Sequence, residues 1–211
     1  MENKPIEEKG VLAKLLEQAI KILIKKECKE IGNFKIDIIA SSIQIIKGII
    51  NKILIQAEDI NYKDLLFNKV EIEANNIKIT FKTSNRKLKI KNNSIINFKL
   101  SLSENSLRSI LSSNTWTWIS DKISNKILNQ NKLEDLKIKN NQILIKTTLN
   151  KENLDNGEKI EIKIENDKLL LENKAYNKSF IIPIEDKVLI KDVNIKNNII
   201  NILATSPISF E

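Results

Sequence analysis

Five times along this chain an isoleucine-rich alternation of apolar and polar residues breaks at an Asn-Asn or Asn-Asp pair and then resumes. Strict alternation places one row of side chains on each face of a β-strand, and Asn tolerates the positive φ that a two-residue type I′ turn needs. With only four glycines in 211 residues, asparagine takes the place glycine usually fills in such turns. Three of the five are clean hairpins: Leu136 and Ile138 match Ile145 and Ile143 across Asn140-Asn141, Ile160, Ile162 and Ile164 precede Asn166-Asp167 with Leu169 and Leu171 beyond, and Val193 and Ile195 match Ile202 and Ile200 across Asn197-Asn198. The other two are less regular. Around Asn75-Asn76, Val70, Ile72 and Ala74 face Ile77, Ile79 and Phe81, which fits either a tight turn or a bulge in one long strand. Around Asn92-Asn93 the two alternations are one residue out of phase, so a longer turn or a bulge is needed.

Helical periodicity takes over in two places. From Val11 to about Ile31, apolar residues at about 100° per residue cover an arc of roughly 220°, wider than the stripe a surface helix needs. Such a helix should be cradled by a curved sheet or several elements, or else pack on a sheet on one side and a partner chain on the other. Gly32 is placed to end it in the left-handed region. Beyond it, Phe34, Ile36, Ile38 and Ala40 predict a strand, Ser41 to Gly48 a loop or helical turn, Ile53, Ile55 and Ala57 another strand, and Asn61 to Asn68 a short turn or strand lead-in. The second helical region starts where the strand Phe98, Leu100, Leu102 stops at Ser103. Ser103 is a natural N-cap, and Glu104 sets a carboxylate at the positive end of the helix dipole. After Ser112-Ser113-Asn114, Thr115 is expected to cap a further helix reaching about Asn129, with Trp116, Ile119, Ile123 and Ile127 toward the core and Trp118 nearly opposite.

These readings predict an α+β fold: a long N-terminal helix and a central helix pair packed in a curved, mainly antiparallel meander sheet. Residues 1–10 are expected to form a disordered N-terminus and 11–211 one domain, whose halves, about 11–102 and 103–211, each run helix first and meander second. Apolar residues at 41% and charged residues at 29% are in the globular range. Cys28 stands alone, which points to a reducing compartment, and neither a signal peptide nor an 18-residue apolar run is legible, so a cytoplasmic location is expected.

The residue inventory excludes much chemistry. No histidine and one cysteine leave no Ser-His or Cys-His nucleophile pair and no usual zinc, iron or copper site. The glycines, Gly10, Gly32, Gly48 and Gly157, are too far apart for a P-loop or dinucleotide fingerprint. Neighbouring carboxylates such as Glu58-Asp59 and Glu134-Asp135 read as solvated turn residues, so no enzyme activity, metal or cofactor is expected. The net charge of +8 suits an anionic partner, although acidic and basic residues are interspersed. Nucleic acid is disfavoured, because no strand presents paired aromatics and no basic cluster exceeds pieces such as Arg86-Lys87 or Lys25-Lys26.

The segments KIDIIASSIQIIKGIINKILIQAEDI, VEIEANNIKITF and LSLSENSLRSIL occur in an order that resembles a cyanobacterial and actinobacterial domain family of formerly unknown function, which includes the mycobacterial phospholipid-binding mannan-elongation protein. In that pattern Gly48 matches the glycine ahead of a strand, and Leu102-Ser103-Glu104 the strand-to-helix step. The long C-terminal helix of many cyanobacterial members is reduced here to Ile184 to Ile190. The resemblance implies an architecture akin to tubular lipid-binding proteins and a non-enzymatic phospholipid-binding function, peripheral to a membrane. On that reading Leu12, Leu15, Leu16, Ala19, Leu23, Ile45, Ile46, Leu107 and Leu111 line an apolar groove for acyl chains, Trp118 touches the membrane, and rim lysines meet lipid phosphates. The alternative from a different class is a structural or interaction module whose wide apolar helix is a homo-oligomer seam.

Overall fold

The computed structural model of the chain describes residues 10–82, 87–90, 94–148 and 157–207. Helix α1 (Val11–Glu27) leads into a three-residue strand, β1 (Cys28–Glu30), and then β2 (Phe34–Ile39). The helix thus ends four residues earlier than its apolar periodicity predicts, because Cys28 adopts extended geometry and pairs with Tyr62 at a sheet edge. Gly32 does not close the helix: its N–H donates to the Glu58 carbonyl at 2.9 Å, and a Cβ there would lie 2.9 Å from that same oxygen. Its role is close backbone approach. The segment after β2 forms a single helical turn, α2 (Ser42–Ile46), closed by a reciprocal capping box between Ser41 and Gln44.

Two long strands follow, β3 (Ile49–Tyr62) and β4 (Leu65–Lys82), joined at Lys63-Asp64, where both residues have positive φ, as a type I′ turn requires. At about 3.3 Å per residue, the 14 residues of β3 extend roughly 45 Å. Asn75-Asn76 is therefore no hairpin: β4 continues through it, with Asn76 in the left-handed region. Pairing with β3 keeps one register from Ile49 opposite Lys78 to Tyr62 opposite Leu65. The kink at Asn76 re-aims the side chains, so that Ala74 and Ile77, three residues apart, belong to the same core. Strands β5 (Lys87–Ile90) and β6 (Ile95–Leu102) both pair with β4, β5 at residues 79–82 and β6 at residues 69–74. They lie end to end along β4, which accounts for the one-residue phase difference between them; Asn92-Asn93 itself lies outside the described residues.

Ser103 caps α3 (Glu104–Ser112) as its sequence requires, accepting from the Ser106 N–H at 3.2 Å. Thr115 caps nothing. Its hydroxyl donates to Asp64 at 2.7 Å, tying the α3–α4 linker to the β3–β4 turn, and α4 (Thr117–Ile127) begins after Trp116 without a side-chain cap. A five-stranded meander then runs β7 (Leu133–Lys139), β8 (Gln142–Thr147), β9 (Glu158–Glu165), β10 (Lys168–Asn173) and β11 (Lys178–Ile181), in spatial order β11-β10-β9-β8-β7. The segment Ile184 to Ile190 holds no helix. The chain returns as β12 (Leu189–Lys196) and β13 (Ile199–Pro207), and β13 pairs with β6, giving an eight-stranded sheet in the order β1-β3-β4-β6-β13-β12, with β2 also on β3 and β5 on β4. All recorded strand pairs are antiparallel, and the architecture is α+β with antiparallel meander sheets. The two helix-plus-meander halves interlock, because the last hairpin of the second half completes the sheet of the first. The three hairpins expected at Asn140-Asn141, Asn166-Asp167 and Asn197-Asn198 form in the expected registers, with positive φ at all six residues.

Two cores result. The larger gathers α3, α4, the five-stranded sheet and the β6-β13-β12 part of the other, around Ile127, Leu128, Ile160 and Ile202. The smaller lies under α1 at the opposite end of β3 and β4, around Ala13, Ile38, Ile50, Ala74, Ile77 and Ile79. Helix α1 is not cradled. It rests on β2 and α2 with Ala13 as its one fully buried residue, because the smaller core supplies a flat end of sheet and nothing beyond it.

Gly48 sits between the β3 start and β4 with φ at +72°, and a Cβ there would meet the Ile79 carbonyl at 2.0 Å. Gly48→Ala is expected to lower stability by about 1–3 kcal/mol, measured by urea unfolding. A second expectation concerns acid. The hydrogen bond from Lys29, at 2.6 Å, and the one from Thr115 hold the Asp64 carboxyl below its ordinary pKa. A depressed folded pKa gives a contribution that is complete above the unfolded value, about 3.9, and lost as pH falls through the folded one. An NMR titration of Asp64 should have its midpoint below that value, and Asp64→Asn should flatten this part of the stability profile.

Candidate functional site

The register of the eight-stranded sheet aligns apolar side chains in rows that cross it from edge to edge. Ile38, Ile53, Ala74 and Ile96 form the first row; Ile36, Ile55, Ile72, Phe98, Ala204 and Ile190 the second; Phe34, Ala57, Val70, Leu100, Ile202 and Val193 the third. Each comes from a period-two alternation, so all share one face. The opposite face is polar and ion-paired: Lys52 to Glu73 at 3.0 Å, Lys69 to Glu71 at 2.6 Å, and the Ser101 hydroxyl to Asn201 at 3.0 Å.

The apolar face is covered at its two ends and open between them. The first row packs under α1 in the smaller core, while Phe98, Leu100, Ile202, Ala204 and Ile190 belong to the larger core beneath the helix pair and second sheet. Phe34, Ile55, Val70 and Ile72 belong to neither and are only half-buried. On the opposite face a cleft of about 370 Å³ is framed by Leu54, Gln56, Glu71, Glu73, Asn97, Lys99, Leu203 and Thr205, which alternate along their strands with Ile55, Ile72, Phe98 and Ala204 of the second row. A neighbouring cavity, also about 370 Å³, is lined by Asn33, Phe34, Lys35, Ala57, Glu58 and Lys69 and shares Gln56 with it. Both hollows lie along β3, behind the seam between the cores.

Glu71 and Glu73 on that opposite face are held ionised. Glu71 has its pKa lowered chiefly by the hydrogen bond from Lys69, and Glu73 by Asn75 and then Lys52. Neither is displaced upward, as a general acid working near neutrality would be. Among the described residues no cluster of histidine, cysteine, aspartate or glutamate is arranged to hold a metal ion, and no helix is long and apolar enough to cross a membrane. A third cavity, of about 410 Å³ between α3, α4 and β7, is lined by Arg108, Asp121, Lys132, Glu134 and Asp135, and Arg108 is already engaged there by Asp135 at 2.8 Å.

The residues expected to line a groove fall into two separate groups. Leu16 and Ile45 pack on the smaller core and Leu12 is half-buried beside them, while Leu15, Ala19, Leu23 and Ile46 are exposed. Leu107 and Leu111 pack on the larger core, so α1 and α3 do not face one another across a shared cavity. The cleft behind the second row is lined by no α1 residue. Trp118 is exposed on α4, its ring 6.2 Å from that of Trp116, whose indole N–H donates to the Lys63 carbonyl at the β3–β4 turn. The seam residues Ile55, Ile72 and Phe98 read in sequence as ordinary core positions. Only cross-strand register, together with knowing where each core ends, singles them out.

Comparison with protein-family models, with curated proteins and with solved structures finds no match to this chain.

Open and closed parts of the apolar face should differ in mutational cost. Ile127→Ala, at a fully buried position, is expected to cost about 2–5 kcal/mol, and Ile72→Ala at the seam less than about 2 kcal/mol, both by denaturant unfolding.

Proposed function

We propose that this protein binds lipid without catalysing a reaction, laying acyl chains along the seam between its two cores. The observation that carries the reading is the row Ile55, Ile72, Phe98 and Ala204: aliphatic and aromatic side chains aligned across four strands on the apolar face, with Ile55 and Ile72 half-buried and outside both cores. Each acyl CH₂ moved from water onto such a surface contributes about 0.8 kcal/mol. The likeness of the first half to a phospholipid-binding domain family, carried by the segments from Lys35 to Leu111, points the same way.

Native mass spectrometry of the protein purified without detergent, together with titration of a fluorescent fatty acid, tests this. Co-purified lipid and saturable binding are expected, with Ile72→Asn weakening the fatty acid at least tenfold at unchanged melting temperature. No bound lipid and no fatty-acid binding, or binding indifferent to Ile72→Asn, would overturn it.

A further inference from the structure

Helix α1 carries three sectors where an ordinary amphipathic helix carries two. At about 100° per residue, Ala13, Leu16, Ile20 and Ile24 point to the sheet, Lys14, Lys21 and Lys25 lie together on one flank, and Val11, Leu15, Ala19, Ile22 and Leu23 occupy the remaining side, with Lys26 among them in the last turn. That third sector faces solvent, with Val11 72%, Leu15 61%, Ile22 67% and Leu23 64% exposed. Helix α2 adds Ile43 and Ile46, 66% and 75% exposed, and the end of β2 adds Ile39. The α1 N-terminus touches α2 at Gly10 and Ser42, so these side chains belong to one end of the molecule. Large aliphatic residues gathered at such exposure mark an interaction surface.

The charge around this patch selects its occupant. Glu17 is turned inward, where its carboxylate accepts the Ile38 N–H at 2.8 Å, so apart from Glu27 at its last position α1 presents lysines outward. Lys47 follows α2 directly, and the Ile79 N–H donates to the Gly48 carbonyl at 2.7 Å, which brings the end of β4 to the foot of α2. Lys78 of β4 lies on the strand at this end, and no acidic residue occurs between Glu73 and Glu104. Two copies joined symmetrically through this surface would set its lysines against each other, which disfavours a homodimer seam.

We infer that the α1–α2 surface docks on an anionic lipid bilayer, α1 lying in the interface plane with Val11, Leu15, Ile22, Ile43 and Ile46 in the acyl boundary and lysines at the headgroups. This is the arrangement that an apolar stripe flanked by lysines favours. The inference rests on the lipid-binding reading for its partner class, yet uses a surface separate from the seam and distant from Trp118.

Flotation of the full chain with vesicles of phosphatidylcholine alone, or with about 30% phosphatidylserine, tests it at ~50 mM and ~500 mM salt. Binding to the anionic vesicles at low salt is expected, weakened at high salt and on phosphatidylcholine alone. Ile43→Asp with Ile46→Asp should reduce it at least tenfold without changing the melting temperature, whereas Ile72→Asn should leave flotation intact. That last variant separates the two readings, since loss of fatty-acid binding with retained flotation affects only the seam. Absence of flotation at low salt, flotation indifferent to the double variant, or a dimer in light scattering that the double variant dissolves would overturn the docking surface.

Discussion

Everything else in this molecule hangs on the unbroken register between β3 and β4. The hairpin is long enough to reach from α1 and α2 at one end to α3 and α4 at the other, and each end nucleates a separate core. Its pairing stays in step because the kink at Asn76 leaves the ladder with β3 aligned. A slip of one residue would carry Ile53, Ile55, Ala57, Val70, Ile72 and Ala74 to the polar face and expose both cores at once.

Length creates edges, and the helices close them with charged side chains. Glu17 of α1 accepts the Ile38 N–H of β2, and Glu104 of α3 accepts the Ile138 N–H of β7, each at 2.8 Å. Arg108 donates to the Leu136 carbonyl at 2.9 Å on the same strand while pairing with Glu104 and Asp135. Unpaired backbone groups at a strand edge invite another strand, and a helix side chain that satisfies them removes the invitation. These contacts also fix each helix over its own core, so the seam between the cores stays uncovered.

The proposed functions divide between these features. The seam is a half-covered apolar surface between the two cores, suited to hydrocarbon. The α1–α2 end is the reverse arrangement, a raised apolar surface with cations around it, suited to meeting a bilayer from outside. A protein that takes up acyl chains and rests on membranes needs both, in different places.

Much of the fold is legible in the chain because its signals are local. The turns at Asn140-Asn141, Asn166-Asp167 and Asn197-Asn198, the Ser103 cap and the alternation of β7 to β10 depend on neighbours a few residues away, and they form as expected. Gly32, Thr115 and the last turn of α1 depart from the local pattern for the opposite reason: their roles are set by Glu58, Asp64 and Tyr62, which lie about 26 to 51 positions away in sequence. The acid-free stretch between Glu73 and Glu104 acquires a meaning only because the fold brings the end of β4 beside α2. The sequence by itself determined that α1 has more apolar surface than one sheet can cover. Only the tertiary structure decided which part stays outside, because burial on β2 takes the side bearing Ala13, Leu16 and Ile20, and that choice depends on contacts made between residues distant in the chain.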